Sequence, residues 1–138
     1  MPNEPWIWQT DRVIPSDIRA GRQVMDELLR QLDAHRWAEH AIFGVHLAME
    51  EALVNAVRHG NHSDRSKHIR VSCRLWPQRL RIEISDEGAG FDPAALPDPT
   101  DGDHLRSACG RGVLLMRQFM SRVEFNDRGN QVVLERDC

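Results

Sequence analysis

Two neighbouring segments in the middle of the chain alternate apolar and polar residues with a period of two. The first runs from His68 to Trp76 and the second from Arg79 to Asp86, with a Pro-Gln dipeptide between them. Alternation of this kind places every second side chain on the same face of a strand. The pattern predicts a hairpin from an antiparallel sheet that helices cover on one side only. Four arginines of its charged face are expected to be solvated surface charges: Arg70, Arg74, Arg79 and Arg81.

The N-terminal part of the chain predicts a strand followed by a helix. Aromatic and β-branched residues interleaved with polar ones are typical of a strand over residues 6–14. Ser16 or Asp17 can cap the helix that follows, whose apolar residues recur at helical spacing as far as residue 34. Core packing is the favoured interpretation of that helix. The alternative is a dimer or partner surface formed by part of its outer face or by Trp6 and Trp8 of the strand.

The C-terminal part predicts a long loop, a helix and a second hairpin. Residues 92–109 contain three prolines, one glycine and few apolar residues, and a loop of this length in a compact domain is usually a functional lid or disordered. Apolar residues then recur at helical spacing from Val113 to Met120. The hairpin comprises Arg122 to Phe125 and Gln131 to Arg136 around a glycine-containing turn.

The longest predicted helix begins between residues 37 and 40 and ends near His59, where Gly60 and Asn61 supply a stop signal. Glu51, Asn55 and His59 are four residues apart and line one edge of its apolar face. Such an edge lies where a core meets a cleft, so a carboxylate and an amide one turn apart can act on the same ligand. Glu50 is expected to point elsewhere. The apolar face consists of Val45, Ala48, Met49, Ala52, Leu53 and Ala56.

Two glycine-containing segments follow this helix. Asp86-Glu87-Gly88-Ala89-Gly90 comes directly after a predicted strand, and its glycines allow the backbone to approach a ligand closely. A simple Asp-x-Gly turn would explain that segment if it stood alone. Gly110-Arg111-Gly112 begins a predicted helix, where backbone amides and the helix dipole favour an anion.

Other kinds of site are disfavoured by the same residues. The chain contains no Gly-Lys-Ser/Thr, which argues against a P-loop, and Gly88 to Gly90 does not give the Gly-x-Gly-x-x-Gly of a dinucleotide-binding turn. His59, His62 and His68 lie close in sequence, but no cysteine or acidic ligand completes a familiar zinc spacing. Zinc is therefore disfavoured.

Composition limits the class of protein. A length of 138 residues supports one domain, and a net charge of −3 gives no electrostatic footprint for nucleic acid or an anionic membrane. The sequence has no apolar run long enough for a bilayer and no signal-peptide pattern at its start, so the cytoplasm is the expected compartment. Cys73, Cys109 and Cys138 are expected to be free thiols.

The Glu-x-x-x-Asn helix ending in His-Gly, followed by Asp86 to Gly90 and then Gly110 to Gly112, resembles the N, G1 and G2 boxes of the GHKL ATP-binding family. Gyrases, heat-shock chaperone ATPases, sensor histidine kinases and anti-sigma-factor serine/threonine-protein kinases share that fold. The Asn-Ala-x-x-His-Gly form and the Gly-Phe-Asp-Pro continuation most resemble the last group. The resemblance implies an α+β fold, a two-layer α/β sandwich (the Bergerat fold) with a mostly antiparallel sheet and helices on one face. It also implies a single histidine kinase-like domain over residues 1–138 with an ATP lid at about 92–109.

The resemblance further implies ATP and Mg²⁺ as cofactors. Asn55 is expected to coordinate Mg²⁺, Glu51 to act as the general base, and Asp86 to bind adenine. A threonine common on the last strand of the family, where it supports the aspartate, is expected to be replaced by Val133. Arg111 is expected to contact phosphate or a partner, with a surface charge as the alternative. The nucleotide-binding residues implied by the boxes are Asn55, His59, Asp86, Gly88, Gly90, Gly110, Arg111 and Gly112.

The function implied by the resemblance is a serine/threonine-protein kinase of the anti-sigma-factor type. Its substrate would be an antagonist (anti-anti-sigma, STAS-like) protein in a partner-switching system, with a sigma factor as a further partner and a homodimer as the expected assembly. The alternative is a noncatalytic ATP-binding module that sequesters a sigma factor or another partner. A histidine-kinase catalytic domain is disfavoured because no helical hairpin with a phosphoacceptor histidine precedes the ATP-binding segment.

Overall fold

The computed structural model describes residues 5–88 and 108–138, with the side chains of the second range described from Gly112 onward. Within these residues the chain forms five strands, three α-helices and one π-helical turn. In chain order they are β1 (Trp8–Pro15), α1 (Ile18–Ala34), α2 (Glu39–Val54), the π-helix (Asn55–Gly60), β2 (His68–Trp76), β3 (Arg79–Ser85), α3 (Ala108–Phe119), β4 (Arg122–Phe125) and β5 (Gln131–Asp137).

The strands form one antiparallel sheet in the order β1-β2-β3-β5-β4. The predicted alternation of β2 is confirmed, because Ile69, Val71, Cys73 and Leu75 are fully buried whereas the residues between them are not. Cys73 faces Ile82 of β3, and Ile82 faces Leu134 of β5. These rows form the apolar face of the sheet.

The three α-helices that the structure describes cover that apolar face and leave the other face of the sheet open. Leu28 and Leu32 of α1, Met49 and Leu53 of α2, and Met116 of α3 belong to the same core as the inward strand residues. Burial of each such side chain contributes about 1.5–3 kcal/mol relative to exposure. The predicted α+β two-layer sandwich is therefore confirmed. None of the described helices is both long and apolar enough to cross a bilayer.

The start of α1 agrees with the prediction, whereas the start of α3 differs from it. Asp17, one of the two predicted caps, is the N-cap of α1, and its side chain accepts a hydrogen bond from the Arg19 amide at 2.9 Å. Ala108 and Cys109, which the sequence placed in the long loop, are the first residues of α3. Ser107, a residue type favoured at N-caps, directly precedes Ala108 in the sequence, but the prolines and aspartates before it predict a loop for the whole segment.

The last turn of the long central helix is π-helical. The Asn61 amide donates to the Ala56 carbonyl at 2.9 Å, five residues earlier in the chain. A π-turn is wider than an α-turn, is rare, and is found disproportionately at functional sites. The helix therefore has the predicted length but not the predicted geometry at its end.

The open face of the sheet carries ion pairs as well as solvated charges. Arg70 pairs with Asp11 at 2.7 Å, and the hydrogen bonds from Arg70 and Ser72 lower the pKa of Asp11 to about 2. Glu135 is 5% exposed and pairs with Arg79, with Arg81 at 3.7 Å and with Arg122 at 4.0 Å. Of the four arginines expected to be simply solvated, three are thus paired with carboxylates. The fourth, Arg74, lies over the ring of Trp6.

Truncation of Ile82 tests the core. Ile82→Ala should lower the free energy of unfolding by about 2–5 kcal/mol, because it leaves a cavity at the centre of the sheet. Val13, which is 68% exposed on β1, provides the matched control, and Val13→Ala should change stability by less than about 0.5 kcal/mol. Urea unfolding followed by tryptophan fluorescence measures both values, and equal losses would contradict the packing.

Candidate functional site

The end of the central helix touches the loop that follows β3. A Cβ atom built on Gly60 would collide with the carboxylate of Asp86, and one built on Gly88 would collide with the Gly60 carbonyl oxygen. The second contact involves backbone, which cannot give way as easily as the end of a side chain. Two of the three predicted boxes therefore meet at Gly60 and Gly88. A larger residue at either position would force the helix end and the loop after β3 to shift.

The N-terminal half of α3 also approaches the central helix. A Cβ atom at Gly112 would lie 2.9 Å from Oε2 of Glu51 and 3.4 Å from Nδ2 of Asn55. Gly112 is buried, and its missing side chain leaves α3 close to both polar groups. Residues from all three predicted boxes are thus brought together at one place in the fold.

A cavity of about 240 Å³ lies beside this meeting point. It is smaller than the pockets of about 300–1,000 Å³ that enclose drug-sized ligands, so it suits a base-sized group more than a whole nucleotide. Apolar residues from both layers line it: Ala52, Ala56, Ile84, Met116, Phe125 and Val132. Polar residues also line it: Asn55, His59, Asp86, Asn130 and Gln131.

Asp86 lines the cavity just beyond the end of β3. Its side-chain Oδ1 accepts a hydrogen bond from the Gly88 amide at 2.8 Å, and its own amide donates to the Asn130 carbonyl at 2.9 Å. Burial raises the pKa of the Asp86 carboxyl above its ordinary value, and the Gly88 hydrogen bond offsets part of that rise. A half-buried carboxylate of this kind is a strong acceptor for an amino group that enters the cavity.

Asn55 is the first residue of the π-helix. Among the described residues, two buried side-chain polar atoms have no hydrogen-bond partner, Nδ2 of Asn55 and Nε1 of Trp37. A buried donor without a partner is unfavourable by about 1–3 kcal/mol and calls for a ligand, an ion or water. The amide oxygen of the same side chain is a suitable ligand for Mg²⁺. The residues present therefore fit a Mg²⁺-bound phosphate group.

The two adjacent glutamates of α2 point in different directions, as the sequence predicts. Glu50 forms an ion pair with Arg22 of α1 at 2.9 Å. Glu51 is half-buried and approaches Gly112. Glu51 lies one helical turn before Asn55, so its carboxylate and the Asn55 amide share one side of the helix.

His59 is exposed and lines the cavity together with Asn55. Gly110 and Arg111 lie near the start of α3, so the Gly-Arg-Gly segment is part of the helix and does not precede it. Gly90 and the expected lid residues 92–107 lie outside the described residues.

The prediction for Val133 was wrong. Val133 faces Glu83 of β3 and Glu124 of β4 on the open face of the sheet, away from Asp86. Its neighbours Gln131 and Val132 line the cavity instead, together with Asn130. Val132 and Val133 are adjacent and equally apolar, so the sequence does not show which of them points into the core. Choosing the wrong one of two neighbours assigns the side chain to the opposite face of the strand.

Sequence reasoning also missed Asn61 and Asn130. Asn61 appeared only as a stop signal for the helix, although its side chain is fully buried. The burial of an asparagine at a helix end leaves no periodic pattern in the sequence. The one available signal was the position of Asn61, directly after the first predicted box and before the second. Asn130 donates to the Gly88 carbonyl at 3.4 Å, across the loop that carries Asp86.

The chain is similar to several bacterial regulatory proteins. It is 30% identical over 95 residues to the serine/threonine-protein kinase BtrW of Bordetella bronchiseptica, and the match covers 67% of each chain. It is 27% identical over 95 residues to the anti-sigma F factor of Clostridium perfringens, covering 64% of this chain and 67% of the relative. It is 26% identical over 95 residues to the serine-protein kinase RsbW of Oceanobacillus iheyensis, covering 64% and 60%.

A family model described as the histidine kinase-like ATPase domain matches residues 14–136. The match begins within β1 and ends within β5, so it includes Glu51, Asn55, Asp86 and Gly112. All the residues that line the cavity lie within the matched range. The chain therefore belongs to the histidine kinase-like ATPase domain family, the GHKL family that its three boxes resemble.

Proposed function

We propose that this chain binds ATP with Mg²⁺ and phosphorylates a serine or threonine of an antagonist protein in a partner-switching regulatory system. The observation that carries the proposal is the approach of Gly112 to both Glu51 and Asn55. It places a carboxylate and an amide beside the fifth residue of α3. Relatives named as a serine/threonine-protein kinase and a serine-protein kinase support the proposal.

In the proposed complex the adenine base occupies the cavity beside α2. Apolar side chains such as Ile84 and Met116 contact its faces, and the Asp86 carboxylate accepts a hydrogen bond from its amino group. The glycine contact between Gly60 and Gly88 keeps the helix end and the loop close enough to enclose the base.

The phosphates are proposed to extend from the cavity toward the start of α3. The first backbone N–H groups of a helix have no partner within the helix, and the helix dipole favours negative charge there. Gly110, Arg111 and Gly112 lie near that start. A side chain at Gly112 would fill the space between α3 and Glu51, whereas glycine leaves it open.

Asn55 is proposed to hold Mg²⁺ through its side-chain oxygen and to donate from Nδ2 to a phosphate oxygen. That donor has no partner among the described residues. Proteins commonly bind Mg²⁺ through one or two side-chain oxygens, with substrate phosphates and water completing the shell. When bound, Mg²⁺ would neutralise negative charge on the transferring phosphoryl group.

Glu51 is the proposed general base. Its carboxylate takes the proton of the attacking serine or threonine hydroxyl while that oxygen bonds to the γ-phosphorus and ADP leaves. Such proton transfer contributes about 10²- to 10⁴-fold to rate. The carboxylate is half-buried and lies beside Gly112, where the phosphates are proposed to bind.

The proposal also includes a sigma factor as a further partner and a homodimer as the assembly. Relatives named anti-sigma F factor support the first of these. The competing possibility is a noncatalytic ATP-binding module that sequesters its partner. Such a module would bind ATP and transfer phosphate to no protein.

Replacement of Glu51 tests the kinase proposal. Glu51→Gln should retain ATP binding and reduce phosphoryl transfer at least about 100-fold, because the proton acceptor is lost. Transfer is measured with γ-labelled ATP and candidate antagonist proteins, followed by phosphoserine detection. Glu50→Gln is the matched control, since Glu50 pairs with Arg22 of α1. Loss of transfer in both variants, or in neither, would contradict the assignment, and a wild type that labels no protein would favour the noncatalytic module.

Replacement of Asn55 tests the Mg²⁺ site. The wild type should bind ATP at least about tenfold more tightly with Mg²⁺ than without it, and Asn55→Ala should lose that difference, because a charge-assisted contact is worth about 1.5–3 kcal/mol. Stability should not fall, since the variant removes a buried donor that has no partner among the described residues. Calorimetric titration measures binding, and an unchanged Mg²⁺ dependence would remove Asn55 from this role.

The ionisation of Asp86 gives a pH prediction. Its folded-state pKa is raised, so ATP affinity should fall as the pH is lowered through that raised value and the carboxyl becomes protonated. Because a raised pKa means that the charged form destabilises the fold at higher pH, Asp86→Asn should be more stable than the wild type at pH 7. The same variant should bind ATP about tenfold or more weakly, with less dependence on pH. An equal pH dependence in the two proteins would assign the titration to a group other than Asp86.

A further inference from the structure

The side chain of Asn61 links three separate segments of the chain. Its Nδ2 donates to Oγ of Ser16 at 3.1 Å and to the carbonyl of His68 at 3.0 Å, and its Oδ1 accepts from the amide of Glu87 at 2.8 Å. Asn61 is fully buried. Both N–H groups and the carbonyl oxygen of the amide therefore have partners inside the protein.

These partners come from the turn before α1, the first residue of β2 and the loop after β3. Ser16 is 1% exposed, so this end of the network is buried as well. The bond from the Glu87 amide concerns the proposed nucleotide site, because Glu87 directly follows Asp86, which lines the cavity. Asn61 itself directly follows Gly60, whose carbonyl touches Gly88.

The loop that carries Asp86 is held by three backbone donors. The Asp86 amide donates to the Asn130 carbonyl, the Glu87 amide to Asn61, and the Gly88 amide to Asp86 itself. The first anchors the loop to the turn before β5, and the third is internal to the loop. Among these three bonds, only the bond to Asn61 fixes the loop to the end of the central helix.

We propose that Asn61 is a positioning residue for base recognition, which holds the Glu87 amide so that the Asp86 carboxylate faces the amino group of adenine. The inference rests on the proposed binding of ATP. Without the Asn61 oxygen, the Glu87 amide has to turn toward another acceptor, and a rotation of that peptide moves the adjoining Asp86. A polar group that is left without its partner inside a protein is unfavourable enough to drive such a change.

The test compares the affinities of ATP and ITP, whose base carries a carbonyl oxygen in place of the amino group. The ratio of the two dissociation constants reports on the Asp86 contact. A variant that is partly unfolded weakens both nucleotides by the same factor, so the ratio is insensitive to a purely structural defect.

Asn61→Ala should reduce the preference for ATP by about tenfold, the size expected for loss of a hydrogen bond to a charged group. Ser16→Ala is the matched control, because it removes another bond of the same buried network but leaves Glu87 bound to Asn61. Its preference should stay within about twofold of the wild type, while its stability falls. If Asn61→Ala does not fold, Asn61→Ser replaces it, since the hydroxyl is polar but one atom too short to reach Glu87.

Each outcome separates this inference from the proposed function. A wild type that prefers ATP, an Asp86→Asn variant that does not, and an Asn61 variant that keeps the full preference would overturn the role of Asn61 alone. Equal losses of preference in the Ser16 and Asn61 variants would also overturn it, because a general defect would then account for both. A wild type that binds no ATP would overturn the proposed function and this inference together.

Discussion

The contact between Gly60 and Gly88 fixes the distance between the helix layer and the sheet at the functional end of the molecule. Backbone meets backbone there without an intervening side chain. Any larger residue would separate the π-helix from the loop after β3 and open the cavity between them. The position of Asp86 against the helix end, and hence the shape of the cavity, depends on that close approach.

The site departs from an ordinary core in several ways. The last turn of the central helix is π-helical, the Asn55 amide has a donor without a partner among the described residues, and burial raises the pKa of Asp86. Each of these features is unfavourable for folding taken alone. The fully buried layer between α1, α2 and the sheet, which includes Leu28, Leu53 and Ile82, offsets them. Unfavourable local structure that the rest of the fold stabilises is common where ligands bind.

Much of the fold could be predicted because its signals are local. Strict alternation gave the bounds of β2, and the three boxes in order predicted which segments meet. The two glutamates were separated by helical periodicity alone. The parts that failed depend on long-range geometry. The facing of Val133 is set by the turn at residues 126–130, where Gly129 has a φ of 74°, and by pairing with β3. The buried network of Asn61 joins residues up to 45 positions apart, and no periodic pattern reports it.

The helix α3 takes part in both ends of the site. Met116 lines the cavity proposed for the base, and Gly112, four residues earlier, lies beside Glu51 and Asn55. The rise between these two residues is about 6 Å, and a helix does not stretch. α3 therefore fixes the separation between the cavity and the carboxylate of Glu51. If a base binds beside Met116 as proposed, only a phosphate at one distance along the ligand would reach Glu51, so the same helix would also select the length of the ligand.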